Sequence, residues 1–344
     1  MSNPFSLTFG MEPTNYIDRI DEKNKIISDF SDSNPSNYVY LLTGIRGSGK
    51  TVFMYSISDQ LKNENDWIVA NIGPKTHMLE AVASEIYEQG KMKHLFLQSD
   101  FSFSFNGFGF SIQGKEPVSD IMSLLKKMLG YLEKKDKKVL ITVDEVDNSD
   151  EMKYFIQGYA SLLGQKHPMR LLMTGLYGNV SKLQNEKSLT FLYRAPKIQM
   201  GPLSIIAIAN KYSSLLDIDY DSAIELAKFS KGYAYAYQVL GYLLFEAKKK
   251  EITKDILSEF NIRLGEYVYE KVYSELNETS KTILKAIKED RPIKLSELSS
   301  IINKPANYLS NYRDTLIKEG VLFSPSYGYI QFALPQFDMF LKTK

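Results

Sequence analysis

The chain contains no cysteine. That absence excludes a disulfide framework, cysteine-ligated zinc and thiol catalysis, and it fits a reducing compartment. Histidine is scarce as well: His77, His94 and His167 share no metal-ligand spacing with one another or with a carboxylate pair, so no histidine metal centre is expected. No apolar run approaches the roughly 18 residues of a membrane-spanning helix. The stretch from Met1 to Gly10 has no basic segment followed by an apolar one. A cytoplasmic protein without membrane contact is the expectation. Charge of one sign is also missing: 42 Lys+Arg against 41 Asp+Glu leave no field that would draw the whole chain to nucleic acid or anionic lipid. A polyanionic partner has to be sought in one region.

What is present is ordinary globular material, 44% hydrophobic and 24% charged over 344 residues, which is enough for two or three cores. Residues 1–35 hold a Pro- and Asn-dotted start and then Ile17 to Phe30, where Ile20, Ile26, Ile27 and Phe30 can line one helical face. From Tyr38 the pattern becomes strand, Gly-rich turn, helix (Tyr38 to Thr43, then Lys50 to Leu61). Trp67 to Ile72 follows as a strand and Met78 to Tyr87 as a helix. Phe101, Phe103, Phe105, Phe108, Phe110 and Ile112 alternate with small or polar residues around Asn106-Gly107, a strong hairpin signal. A helix at Ile121 to Leu132, a strand at Val139 to Val143, a helix near Met152 to Leu163, a strand at Arg170 to Thr174 and a last strand before Gly201-Pro202 continue an α/β alternation. Beyond Pro202 strand signals stop and four helices are expected, at Ile205 to Leu216, Asp221 to Phe229, Ala234 to Ala247 and Ile256 to Leu276. From Glu278 three helices (Thr279 to Lys288, Leu295 to Ile302, Pro305 to Glu319) precede two aromatic-rich strands, the outline of a winged helix-turn-helix. Four regions result: 1–35, a core over 36–202, a helical region over 203–277, and 278–344.

Two motifs carry chemistry. Gly44-Ile45-Arg46-Gly47-Ser48-Gly49-Lys50-Thr51 fits G-x-x-x-x-G-K-[ST] between a predicted strand and a predicted helix. Glycines let the backbone aim its N–H groups at a phosphate, and the helix start adds unpaired donors and a positive dipole end. Lys50 can reach the β- and γ-phosphates, and the Thr51 hydroxyl can ligate magnesium. The apolar run Val139 to Val143 ends in Asp144-Glu145, where Asp144 can hold hydrated magnesium and Glu145 can polarise an attacking water. These are a Walker A and a Walker B pattern, and ATP with Mg2+ is the expected ligand pair. A third strand ends in the hydroxyl of Thr174, suited to the water or γ-phosphate; alternatively Thr174 caps a strand. Arg194, just before the last core strand, is a candidate charge-stabilising arginine acting within the chain or from a neighbouring copy, against the alternative of an ordinary surface arginine.

The ordered set of Gly44 to Thr51, Asp144-Glu145, Thr174, a helical region and a winged helix resembles the AAA+ superfamily. Within it the chain is similar to origin-recognition initiator ATPases, archaeal-type ATPases with a C-terminal winged helix, and STAND signalling ATPases. The resemblance implies a P-loop NTPase fold: a three-layer α/β core with a parallel sheet, a helical lid over 203–277 and a winged helix-turn-helix. It implies ATPase activity. It also places Tyr16-Ile17-Asp18-Arg19 where these proteins close over adenine, and Thr174 at the sensor-1 position. The chain departs from the group at Gly232-Tyr233-Ala234, which stands where initiators carry a sensor-2 arginine and STAND proteins a Gly-x-Pro. Slow hydrolysis is expected from that departure, which makes a switch as fitting a role as a motor.

Residues 278–344 carry ten basic and seven acidic side chains, mildly basic rather than a polybasic stripe. In the third helix Ala306, Leu309, Leu316 and Ile317 are expected to face the core, leaving Lys304, Asn307, Asn311 and Arg313 outward. Asn and Arg suit base edges, and Lys suits phosphates. The expected function is an ATP-driven conformational switch that binds double-stranded DNA. The alternative is a nucleotide-gated protein-interaction switch in signalling or defence, working through self-association or a protein partner without DNA contact.

Overall fold

The structure, a computed structural model, describes residues 2–8, 10, 13–74, 77–89, 101–105, 110–112, 116–117 and 120–344, with 101–105, 110–112 and 116–117 described by their backbone. The chain divides into two compact units. One is built from residues 19–43 and 51–199, the other from 1–18, 44–50 and 200–344.

In chain order the first unit and the loop that interrupts it contain α1 (Ile20–Ser31), β1 (Val39–Thr43), α2 (Lys50–Lys62), β2 (Trp67–Ile72) and α3 (Met78–Glu88). Next come β3 (Phe101–Phe105), β4 (Phe110–Ile112), β5 (Glu116–Pro117), α4 (Ile121–Glu133), β6 (Lys138–Val143), α5 (Asp150–Gly164), β7 (Met169–Gly175), α6 (Tyr177–Gln184) and β8 (Lys197–Gln199). The main sheet has the order β2-β6-β7-β1-β8. Every neighbouring pair in it is parallel. All residues of β1 and β7 are buried, so both faces at the sheet's centre are covered, which is why these strands read as unbroken apolar runs. Because the strands run parallel, their C-terminal ends share one edge, the edge at which open α/β sheets bind ligands.

The packing beneath that edge is aliphatic and aromatic. Leu124, Met128 and Leu132 of α4 and Phe155, Ile156 and Tyr159 of α5 are buried with Ile141 and Leu171 of the sheet. Each such side chain stabilises the unit by about 1.5–3 kcal/mol. One cation is buried too. Arg170 of β7 donates from Nε to the Phe30 carbonyl at 3.1 Å and from Nη2 to the Asp32 carbonyl at 3.3 Å, with its guanidinium 4.8 Å from the Tyr38 ring. The carbonyls at a helix C-terminus lack partners within the helix and carry its negative dipole end, so an arginine there satisfies both. The expected hairpin is present in its strands: β3 and β4 pair antiparallel with Phe103 opposite Ile112. Its Asn106-Gly107 turn lies outside the described residues.

The second unit continues with α7 (Ile205–Leu216), α8 (Tyr220–Phe229), α9 (Ala234–Ala247), α10 (Lys254–Leu264) and α11 (Glu270–Glu275). It then has α12 (Glu278–Ala286), β9 (Ile293–Lys294), α13 (Leu295–Ile302), α14 (Ala306–Lys318), β10 (Leu322–Phe323), β11 (Tyr329–Phe332) and α15 (Phe337–Leu341). Side chains of Ser204, Asp219, Thr253 and Asn277 accept N–H groups at the starts of α7, α8, α10 and α12. These caps fix the helix boundaries. The single helix expected from Ile256 to Leu276 is interrupted by a π-turn at Gly265–Tyr269. Glycine is a poor helix former, and the inserted residue rotates the following face. Tyr269 is thereby buried, donating to the Pro335 carbonyl at 2.6 Å and packing edge-on against Phe337 of α15.

Residues 1–18 pack with this unit. Phe5 is buried beside Tyr212 and Tyr237, and a Cβ at Gly241 would fall 2.3 Å from its ring, so α9 needs glycine there. Asn15 donates to the Tyr237 hydroxyl at 2.9 Å and accepts from Gln238 at 2.9 Å. Strands β10, β11 and β9 form a small antiparallel sheet beside α12, α13 and α14. In α14 Leu309 and Leu316 are buried and Ile317 half-buried, but Ala306 is exposed, not in the core as expected. It opens the helix after Pro305, beyond the packed turn, and Tyr312 packs inward from the same helix.

Candidate functional site

The loop Gly44–Lys50 joins β1 to α2. Gly47 and Gly49 adopt φ of +72° and +88°, backbone that other residues rarely adopt, and this turns successive N–H groups along the loop. Lys50 donates from Nζ to the carbonyls of Gly44 and Ile45, each at 3.0 Å, which holds its ammonium across the loop. The Ser48 hydroxyl is buried and has no hydrogen-bond partner among the described residues. A loop lined by N–H donors, a tethered ammonium and an orphaned hydroxyl fits a phosphate group, the ligand expected from the motif.

The loop is gripped from the carbonyl side within its own unit. Tyr233, just ahead of α9, donates to the Arg46 carbonyl at 2.5 Å, and the Tyr235 N–H donates to the Gly47 carbonyl at 3.1 Å. Burial pushes the Tyr233 phenol well above the ordinary tyrosine value, so it stays a donor. A Cβ on Gly47 would lie 2.3 Å from the Tyr233 hydroxyl oxygen. The Arg46 side chain is engaged with Glu275.

In the other unit the acidic pair follows β6. Asp144 receives the Thr51 hydroxyl on Oδ2 at 2.8 Å, while on Oδ1 it receives the Thr174 hydroxyl and, at 3.0 Å, the Glu145 N–H. Both oxygens are therefore oriented, by hydroxyls of α2 and β7 and by the neighbouring backbone N–H. Glu145 takes φ of +56°, an uncommon conformation for a glutamate, and is exposed. Its N–H also reaches the Thr174 oxygen at 3.2 Å, which pins the backbone there. Tyr55, one turn along α2 from Thr51, has its phenol raised by burial and next by the charge of Asp144. Among the described residues no cluster of three or more His, Cys, Asp or Glu could hold a metal ion. One carboxylate and one hydroxyl, completed by waters and substrate phosphates, suit magnesium rather than an all-protein cage.

The remaining candidates are dispersed. Ile17 is buried and Tyr16 half-buried in the unit that holds the loop, whereas Arg19 begins the other. Arg194 is exposed in a 3₁₀ turn (Leu192–Arg194) ahead of β8. Lys304, Asn307 and Asn311 are exposed around the start of α14, and Arg313 is paired with Asp314 at 2.7 Å. Sequence reading missed the roles of Tyr233, Tyr235 and Glu275. Tyr233 lay in the segment already marked as a departure and Tyr235 just beyond it, but nothing in their spacing tied them to a loop so far back in the chain.

Comparison with solved structures settles the fold. A Walker-type ATPase of Pyrococcus abyssi superposes with a TM-score of 0.66 at 15% identity, covering 95% of this chain and 96% of its own. The shared fold is that of a P-loop ATPase. The ORC2 protein of Aeropyrum pernix, solved with ADPNP and ADP, gives 0.59 at 13% identity over 98% of this chain and 96% of that one. Cdc6p of Pyrobaculum aerophilum gives 0.50 at 14% identity over 98% and 96%. The likeness is one of fold, to archaeal Walker-type and ORC/Cdc6 ATPases over nearly the whole chain. Two family models match parts of it: "Nephrocystin 3, N-terminal" over residues 22–175, and "Domain of unknown function (DUF8462)" over residues 266–341. No protein of curated function matches the sequence significantly. Among the described residues no helix is long and apolar enough to cross a membrane.

Proposed function

We propose that this AAA+-type chain binds ATP with magnesium and hydrolyses it slowly as a conformational switch, and that residues 278–344 deliver the output to double-stranded DNA. The observation that carries the nucleotide part is the convergence of the Thr51 and Thr174 hydroxyls on the two oxygens of Asp144. Thr51 directly follows Lys50, so chain continuity joins this cluster to the phosphate loop. The loop amides and Lys50 would hold the phosphates, and Thr51 with Asp144 would hold magnesium. Magnesium bound there supplies positive charge that neutralises the phosphoryl oxygens and the leaving group. Glu145, exposed beside Asp144, would polarise the attacking water, and Thr174 would orient it in addition to fixing Asp144. Gly232-Tyr233-Ala234 offers no cationic side chain, which supports a modest rate. Arg194 is available at the surface to complete the site of a second copy.

The DNA part rests on the exposed Lys304, Asn307 and Asn311 at the start of α14. A second reading, the protein-interaction switch, is favoured by one feature of the same domain. Beside α14 lies a cavity of about 200 Å³ lined by Ile283, Ile302, Lys304, Tyr308 and Leu309, with Tyr308 exposed at its edge.

Titration with fluorescent ATP tests the nucleotide reading. Lys50→Ala removes a charged donor to two phosphates and should weaken binding on the order of 100-fold, since each charge-assisted hydrogen bond contributes about 1.5–3 kcal/mol. Equal affinity in wild type and variant would overturn the assignment.

A further inference from the structure

The phosphate loop carries two cations, and they are used differently. Lys50 stays on the loop, bonded to its carbonyls. Arg46 leaves it: Nε lies 3.2 and 3.3 Å from the two carboxylate oxygens of Glu275, and Nη2 lies 2.7 Å from Oε1. Glu275 is the last residue of α11, two before Asn277, whose side chain caps α12. The ion pair thus ties the phosphate loop to the joint that leads into the C-terminal helices. A second contact lies beside it. Gly320, which follows α14, packs against Ile45: a Cβ there would meet the Ile45 Cβ at 3.4 Å, an ordinary van der Waals distance. Glu319 precedes Gly320, and its carboxyl is raised by burial and next by the charge of Glu275. All of these residues belong to one compact unit.

The electrostatics of this arrangement have a direction. Glu275, which also has the Lys271 ammonium 3.7 Å away, brings a carboxylate to a loop built to receive several negative charges and holds one of that loop's cations, with the charge of Glu319 near it. The Tyr233 and Tyr235 bonds fix the backbone at Arg46 and Gly47, and the guanidinium is held by its contacts to both Glu275 oxygens. A polyphosphate in the loop attracts Arg46 and repels both glutamates. Since coupling between two equilibria is reciprocal, whatever the phosphates do to the ion pair, the ion pair does to phosphate affinity.

We propose that Arg46 and Glu275 form a latch through which the phosphate loop and the C-terminal helices oppose each other: the closed latch lowers nucleotide affinity, and bound nucleotide loosens the joint at Glu275. The latch rests on the nucleotide reading above, and it makes Glu275 a positioning residue acting through Arg46.

Glu275→Gln keeps the shape of the side chain and removes its charge. Fluorescent ATP should bind this variant roughly fivefold more tightly than wild type, at the low end of coupling free energies. ADP, with less charge, should gain less, and the gain should shrink as salt screens the charges. Glu275→Asp, which keeps the carboxylate, should remain near wild type. In hydrogen exchange, ATP should speed exchange of the amides at the start of α12 in wild type, whereas Glu275→Gln should exchange faster without ATP. Tighter binding cannot arise from a misfolded variant. If wild type binds ATP and Glu275→Gln binds it equally or more weakly, the latch is wrong and the nucleotide reading stands. If wild type binds no ATP, both fall.

Discussion

At the scale of single residues, the proposed nucleotide chemistry separates binding from turnover at Asp144. Thr51, Thr174 and the Glu145 N–H satisfy the Asp144 oxygens, leaving the Glu145 side chain exposed on a left-handed backbone position beside them. Glu145→Gln preserves size and shape but cannot take a proton from water. ATP affinity should stay within about twofold of wild type while steady-state phosphate release falls on the order of 100-fold, the scale of general-base contributions. Undiminished release would assign the water to another group. The residues of the two motifs could be named before any coordinates because their chemistry depends on type and local spacing. The Tyr233 hydroxyl could not, because its partner is a backbone carbonyl, and a carbonyl leaves no trace in side-chain patterns.

At the scale of elements, the turn between α1 and β1 shows how a short segment is fixed. Asp29 near the end of α1 accepts the Tyr40 hydroxyl at 2.7 Å, the Ser36 N–H at 2.7 Å, and both N–H groups of Asn37, at 3.1 Å from the backbone and 3.0 Å from the side chain. Burial works to raise its carboxyl, but these hydrogen bonds outweigh it and hold the group below the usual carboxylate range. Tyr40 is pushed up to about 12 by burial and then by this bond. A depressed carboxylate stabilises the fold above its unfolded value near pH 4, and that stability is lost as pH falls through the folded value. Asp29→Asn should therefore cost about 1–3 kcal/mol in urea denaturation at pH 7, and the gap from wild type should close below about pH 4. A gap independent of pH would show that the carboxylate charge is not what anchors the turn. Element types were legible from apolar periodicity: β2 occupies Trp67–Ile72 as read, and α9 Ala234–Ala247. The π-turn at Gly265 was not, because one glycine in a helical pattern is tolerated as readily as it is a break. Only the packing of Tyr269 against α15 selects the break.

At the scale of the whole chain, the proposed nucleotide switch delivers its output through the C-terminal helices. If α14 reads DNA, Lys304→Ala should flatten the dependence of duplex affinity on salt by about one unit of log–log slope. Arg313→Ala should do less, because that guanidinium is already paired with Asp314. Neither change should alter ATP affinity. No duplex binding at low salt, with or without ATP, would transfer the function to a protein partner. The sequence by itself determined the glycine-rich loop motif and the acidic pair after an apolar strand, the α/β alternation and the helical composition after Pro202. It could do so because phosphate binding, strand burial and helix amphipathicity are all written in neighbouring residues. The tertiary structure alone decided that Thr51 and Thr174 meet on one carboxylate, that Arg170 closes the end of α1, and that Arg46 is bound to Glu275. Each of these joins residues tens to hundreds of positions apart, and such pairs are set by strand order and helix packing, which local pattern does not encode.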